Sequence, residues 1–448
     1  MPNDRLSDLA ASLLEAARKA GADTADAMAV GGTSLSIDIR QGRLEQAERA
    51  EGTEIGLRVL VGRRQACVSA SDTAPATLTA LAERAVAMAR EAPDDPTAGL
   101  ADADEIARGW TVAGLDLADP APDPAAATLD EAARMLEAAA LAVKGITQAE
   151  ASAAYARRAI VIAQTNGFAG GYERTSQSRS VTAFCGSGTA MERDFAGESR
   201  IHGADLPPEA EIGARAAERA LARLGAVKPP TGTYPVLFDE RIASSLIGHL
   251  LGAINGTAIA RGASWARDLM GKGVLPDGIS LTEDPHRPRS PASRPFDAEG
   301  LPTRAKALVA DGVLASWVLD LATARRLGLQ STANAARGPS APPSPGITNA
   351  DLTQGTASRD DLIAAMGTGL LVTSMIGSTI NPTTGDYSRG ASGFWVEGGR
   401  ISHPVNECTV AGNLRDMLRR IVPANDARPH LALRVPSLLI DGMTLAGA

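Results

Sequence analysis

The sequence predicts an α+β fold in two domains, an N-terminal antiparallel sheet with packed helices and a β-rich C-terminal domain with a few helices. Three observations carry this. The chain has 448 residues, more than the roughly 250–300 that one hydrophobic core organises. Its first half places neighbouring hairpin signals between helical stretches. Lys228-Pro229-Pro230-Thr231-Gly232 reads as a short, stiff linker, beyond which Gly, Pro and Thr are more frequent. The expected division is therefore 1–228 and 229–448.

Taken in order, residues 8–19 repeat apolar side chains at helical spacing and stop at Gly21. Leu35, Ile37 and Ile39 alternate with polar neighbours as a strand that turns at Gln41-Gly42. Ile55, Leu57, Val59 and Val61 line one face of the next strand, which turns at Gly62-Arg63 into a third. A helix over 74–90 closes this unit, and 94–124, rich in Pro, Asp, Ala and Gly, reads as a long surface loop. Another helix is expected near 129–143, then strands at 149–155, 159–164 and 178–184, then a helix over 208–224 whose prolines sit where the first turn tolerates them. Beyond the linker, strand-length runs fall at 234–238, 305–309, 313–318, 370–374, 393–396 and 431–435. Residues 331–346 hold four prolines and little to bury. They read as a mobile surface loop, or as a lid or strand-edge segment that touches a partner or peptide.

Composition narrows the classes of function. Hydrophobic residues make up 44% and aromatics 3%, so the cores are built mainly from Ala, Leu, Val and Ile. The net charge of −8 and the lack of a basic stripe count against a nucleic-acid surface, which needs clustered Lys and Arg. Cys67, Cys185 and Cys408 have no CxxC spacing, so they make neither a disulfide framework nor a zinc-finger pattern. A reducing compartment, the cytoplasm, fits them. The N-terminus carries acidic residues among its apolar ones and reads as an amphipathic helix, not a signal peptide. The apolar stretch 366–380 is short and broken by Gly367, Gly369 and Gly377, which predicts no membrane span.

The segment with most chemistry is the predicted helix 242–256. Ile242, Leu246, His249 and Ala253 share one face, and Ser244, Gly248, Gly252 and Gly256 form a line of small residues at i+4 steps. Each glycine costs a helix about 1 kcal/mol relative to alanine, so the line predicts that something packs tightly against it. On its own, His249 reads as a buried histidine satisfied by one hydrogen bond, because a catalytic zinc takes three protein ligands and an open position. In a second cluster, Asp386, Ser388 and Arg389 stand at the entrance of a hairpin and His403, Glu407 and Cys408 at its exit. A metal reading of that last trio matches no known ligand spacing.

Four segments together carry a resemblance: SLSIDIRQGRLEQAERAEGTEIGLRVLVGRRQACVSASD, DPTAGLAD, SSLIGHLLGAINGTAIARGASW and TGDYSRGASGFWVEGGRISHPVNECTVAGNL. In wording and order they resemble the PmbA (TldE) branch of the TldD/PmbA family, whose older description is modulator of DNA gyrase. In that family the TldD-type subunit carries HExxxH on a helix and a late cysteine as zinc ligands. Laid on this chain, the first histidine falls on His249, the general-base glutamate on Leu250 and the second histidine on Ile254, and no cysteine follows Cys408. Leucine and isoleucine neither bind a metal nor move a proton.

The resemblance therefore implies no catalytic residue and no metal on this chain alone. It implies a TldD-type partner that holds the zinc in a heterodimer, with a homodimer in isolation left open. The implied substrates are unfolded peptides: leader segments of peptide antibiotics and disordered antitoxin-like proteins. The residues expected to touch peptide are Asp386, Ser388, Arg389 and Ser392. Two alternatives stay open: a self-sufficient metallopeptidase with a non-standard site drawing on His249, His403 and Cys408, and a regulatory protein that binds DNA gyrase itself.

Overall fold

Every strand of the N-terminal half joins a single antiparallel sheet in the computed structural model, which describes residues 2–447. Helix α1 (Pro2–Ala20) leads into β1 (Thr24–Arg40), β2 (Arg43–Val61), β3 (Arg64–Ala70) and α2 (Pro75–Glu91). The same succession then repeats as α3 (Ala126–Leu141), β4 (Ile146–Gln164), β5 (Ala169–Cys185), β6 (Glu192–Arg200) and α4 (Glu209–Leu221). Sheet order β3-β2-β1-β4-β5-β6 sets the two αβββα units back to back, with Asp26–Arg40 of β1 paired to Glu150–Gln164 of β4.

The sheet's two faces have different covers, as the two-residue strand period allows. Ala27, Ala29, Ile37, Ile39, Ala151, Ala153 and Val161 face the helices, while Met28, Ile160 and Ile162 face the C-terminal half. The Gln41-Gly42 turn has φ of 53° and 67°, the doubly positive pair that a two-residue hairpin favours. The two strands expected at 149–155 and 159–164 are one strand, because pairing with β1 and β5 carries the ladder through Arg157 and Arg158. Strand β6 has no apolar run to announce it. It forms because Gln177–Cys185 of β5 pairs with it and α4 packs on it.

The C-terminal half is β-rich. It runs through β7 (Gly232–Phe238), α5 (Glu240–Ala253), α6 (Gly256–Ala260), β8 (Leu281–Glu283), β9 (Lys306–Ala310), β10 (Val313–Leu314), α7 (Leu321–Leu327), β11 (Ala335–Ala336), β12 (Ser344–Pro345) and β13 (Ala350–Leu352). It continues with α8 (Arg359–Met366), β14 (Gly369–Ile380), β15 (Asp386–Glu397), β16 (Arg400–Asn413), α9 (Leu414–Leu418), β17 (Val422–Pro423), β18 (Leu433–Arg434) and β19 (Leu438–Ala446). One sheet has the order β16-β15-β14-β7-β19-β17, and a further β16–β19 pairing closes five of its strands into a barrel. A smaller sheet, β10-β9-β8-β13-β18, stands beside it. The fold class is α+β. The strand expected over 313–318 shrinks to Val313–Leu314, since Val318 leaves it to bridge Asn255.

The halves are joined by an aromatic cluster and an ion cluster. Phe296 makes edge contacts to Phe168 and Trp110, with ring centroids 4.9 and 5.0 Å apart. Segment 331–346 follows the surface-loop expectation only in its middle, where Gly338, Ser340, Ala341, Pro342 and Ser344 are exposed, while 333–335 and Pro345 are buried. The Arg337 side chain is fully buried against Asp26, which also holds Arg58 at 2.6 Å. The segment is thus anchored by a charge as well as by Ala333 and Ala335, which pack in the cluster around Phe296. No helix among the described residues is long and apolar enough to cross a membrane.

Candidate functional site

Helix α5 positions the site. It starts where Asp239 accepts a hydrogen bond from the Arg241 backbone N–H, a capping contact that satisfies an otherwise orphan donor. Its inward face buries Ala243, Leu246, Ile247, Leu250 and Ala253 in the core of the C-terminal half. Leu250 and Ile254 have no exposed surface at all.

His249 lies beside that face. Its ring meets Tyr387 edge-on with centroids 5.9 Å apart, and its buried Nε2 has no hydrogen-bond partner. Burial, and after it the nearby Arg389 guanidinium, pull its pKa below the usual histidine value. The ring is therefore neutral at neutral pH, and a cationic side chain, Arg389, stands close enough to disfavour its charging.

The other candidate ligands do not converge on it. The Cys408 thiol is buried and donates to the Ala391 carbonyl at 3.2 Å. Burial pushes its pKa up to about 11, away from the thiolate that binds metals. His403 Nδ1 lies 3.1 Å from Ser402 Oγ, and Glu407 pairs with Lys228 at 3.3 Å. Among the described residues no group of three His, Cys, Asp or Glu side chains could hold a metal ion. The residues present do not fit the zinc that the resemblance places at this helix in TldD-type subunits.

The line of small residues corrects another expectation. A Cβ added at Gly248 or Gly252 would meet nothing within 4 Å, so none of the described residues packs on them. Gly256 alone of the three is tightly packed, against Thr323 and Leu319. The reason is orientation, because the core face of α5 lies on the other side.

The open ridge leads into a cleft of 1010 Å³ between the β5–β6 hairpin and the α5 and β14 side of the barrel. Phe184 and Phe195 stand on one wall; Ile242, Ser245, Thr373 and Arg389 stand on the other. Of the residues expected to touch peptide, Arg389 lines this cleft directly. Ser392 Oγ accepts a hydrogen bond from Arg223, a cleft residue, at 3.0 Å. Ser388 is a half-buried position of β15 opposite Ala411. Asp386 stands apart at the start of β15, accepting from Thr384 at 2.6 Å and from Asn413 at 3.0 Å. Sequence reasoning missed Phe195, Ser245 and Thr373. The glycine line was the one signal pointing toward Ser245.

Three family models match: PmbA/TldA metallopeptidase domain 1 at residues 25–89, the central domain at 119–224 and the C-terminal domain at 231–447. The first two fall on the two αβββα units of the N-terminal sheet. Metalloprotease PmbA of Escherichia coli O157:H7 is 36% identical over 417 residues, covering 93% of this chain and 90% of its own. A Bacteroides thetaiotaomicron structure described as a candidate modulator of DNA gyrase superposes with a TM-score of 0.92 at 27% identity, over 100% of both chains. TldE of Thermococcus kodakarensis, at 19% identity, shares the fold with a TM-score of 0.84, over 98% of this chain and 100% of its own.

Proposed function

The chain belongs to the PmbA/TldD family of metallopeptidases, and on that premise we propose that it is the non-catalytic subunit of a two-chain peptidase whose TldD-type partner holds the zinc. One observation carries the reading. Of the three positions where the zinc motif is expected, Leu250 and Ile254 are apolar core residues with no exposed surface, and His249 is half-buried against Tyr387 with its pKa lowered first by burial and then by Arg389. A zinc site would need donors there, and a core Leu and Ile supply none.

The chain's own work is then to bind and orient an unfolded peptide for the partner. The cleft beside Arg389 is open, and the exposed ridge of α5 lets a main chain approach closely. Leader segments and disordered antitoxin-like proteins suit such a surface, because they present extended backbone. The three free cysteines fit a reducing compartment, the cytoplasm.

Metal content tests the reading. The chain purified alone is expected to carry no zinc, and co-expression with a TldD-type subunit to give a 1:1 complex that holds zinc and cleaves an unfolded peptide. Stoichiometric zinc on the lone chain, surviving dialysis, would overturn it and make His249, His403 and Cys408 the ligands to mutate. The description of the Bacteroides structure motivates a second reading, a regulator that binds the gyrase protein. Capture of gyrase subunits by this chain, without a TldD-type subunit, would favour that one.

A further inference from the structure

The cleft between the β5–β6 hairpin and α5 holds polar groups that the fold leaves unused. Thr373 is only 6% exposed, and its Oγ1 has no hydrogen-bond partner; Ser245 Oγ and Arg389 Nε are likewise unpaired. All three residues line the cleft. A buried polar group without a partner costs about 1–3 kcal/mol, so three of them around one space point to an absent ligand.

The charge around the cleft says which kind. Four guanidinium groups, Arg193, Arg223, Arg241 and Arg389, line it against two carboxylates, Glu192 and Asp194, an excess of two positive charges. Arg223 lies 3.4 Å from Glu192 and 3.7 Å from Asp194, while Arg241 lies 3.3 Å from Asp194 and 3.1 Å from Asp239. Among the described residues neither Arg193 nor Arg389 has an ion pair, so the excess sits on these two. The same space is rimmed by large apolar side chains left open, with Met191 58%, Phe195 60% and Ile376 78% exposed. An inorganic anion would use the arginines and leave these three bare.

We propose that this cleft binds the carboxylate of an extended peptide. Arg389 supplies the counter-charge, the Ser245 and Thr373 hydroxyls donate hydrogen bonds, and Met191, Phe195 and Ile376 cover the neighbouring apolar side chains. A guanidinium paired to a carboxylate is among the stronger polar contacts available to a protein. Beyond Ser245, the bare surface at Gly248 and Gly252 gives the rest of the main chain a track along α5. The proposal rests on reading this chain as a peptide-handling subunit, and it names the part of the peptide that is held.

Fluorescence anisotropy on the lone chain tests it, with three labelled unstructured octapeptides of one apolar sequence. The first ends in a free carboxylate, the second in an amide, and the third in an amide with one internal glutamate. At least one carboxylate-bearing peptide is expected to bind tenfold or more tightly than the neutral one; which of the two does so tells the chain terminus from the acidic side chain. R389Q should abolish the preference and R389K keep most of it, while S245A and T373V each weaken it severalfold.

Equal binding of all three peptides, no binding by the wild type, or a preference that survives R389Q would overturn the proposal. If circular dichroism shows R389Q unfolded, S245A and T373V carry the test, and an intact preference in both would overturn it. Because the lone chain is used, a complex without zinc or activity would sink the subunit reading and leave this site standing. Loss of the carboxylate preference would do the reverse.

Discussion

Replacing Gly248 by alanine is expected to stabilise the lone chain, although the position borders the candidate site. Gly248 lies inside α5, not at its end, and its φ is not positive. A methyl group there meets none of the described residues within 4 Å, so there is no clash among them to set against the gain. The gain is the helix-propensity difference, about 1 kcal/mol for an interior glycine. Gly252 lies in the last turn, where the same change is worth about 0.5 kcal/mol, the low end of the range. A chain of this size need not unfold in one step. The direct assay is therefore amide hydrogen exchange along α5, in which 1 kcal/mol slows local opening about fivefold. Urea unfolding of the same variant should show a higher midpoint at unchanged slope. Exchange that is unchanged or faster would refute the reasoning, because it would mean that the ridge is already covered in solution, for example by a second copy. A stabilised variant with weakened peptide or partner binding would show that the glycine is kept for a visitor at the expense of the helix.

Two further perturbations probe the frame around the site. Asp26→Asn leaves the buried guanidinium groups of Arg58 and Arg337 without their shared carboxylate, a loss expected to cost about 3–5 kcal/mol. Urea unfolding measures it, limited proteolysis should show new cleavage within 331–346, and a change below about 1 kcal/mol would mean that the cluster does not join the halves. For His249 the sign follows from a folded pKa below the ordinary value of about 6.5. Its contribution to stability is complete above that value and is lost as pH falls toward the lowered one, since only the unfolded chain takes up the proton there. An NMR titration should place His249 below the usual range. R389Q should raise it only in part, because burial is the larger cause and the cation the smaller; full recovery to the ordinary value would reverse that order.

Much of the fold was legible because alternation and helical spacing report which face of an element is apolar. Ile55, Leu57 and Val59 announced their strand, and Leu246 and Leu250 their helix. The same signals do not report what lies on the other face. Met28 and Ile162 alternate like any half-buried strand, and only the structure shows that their cover is Phe296, from the other half of the chain. Strand β6 was silent because an edge strand with charged alternate positions has no apolar period. Arg337 was silent for the opposite reason, since a charge in a proline-rich segment reads as solvated until Asp26 is placed opposite it. The cleft escaped because its walls come from residues 182–195, 223, 241–245, 373–376 and 389, segments that share no local pattern. The doubled αβββα order was equally hidden, being a repetition of elements and not of residues.

The two faces of α5 connect these points. The inward face carries Leu246, Leu250 and Ile254, and full burial of one such side chain contributes about 1.5–3 kcal/mol. Two of the three motif positions are therefore part of what holds the C-terminal half together. Leu250→Glu with Ile254→His would put a carboxylate and an imidazole where the packing leaves room only for hydrocarbon, and an unpaired buried charge destabilises heavily. The helix supports the core through the face on which the resemblance lays the zinc-motif positions Leu250 and Ile254. It keeps Gly248 and Gly252 on its other face bare, next to Ser244, which lines the cleft. Hydrolysis and binding are separable on such a helix, because they use opposite sides of one cylinder. A chain with a sealed inward face can still hold a substrate on the outward one.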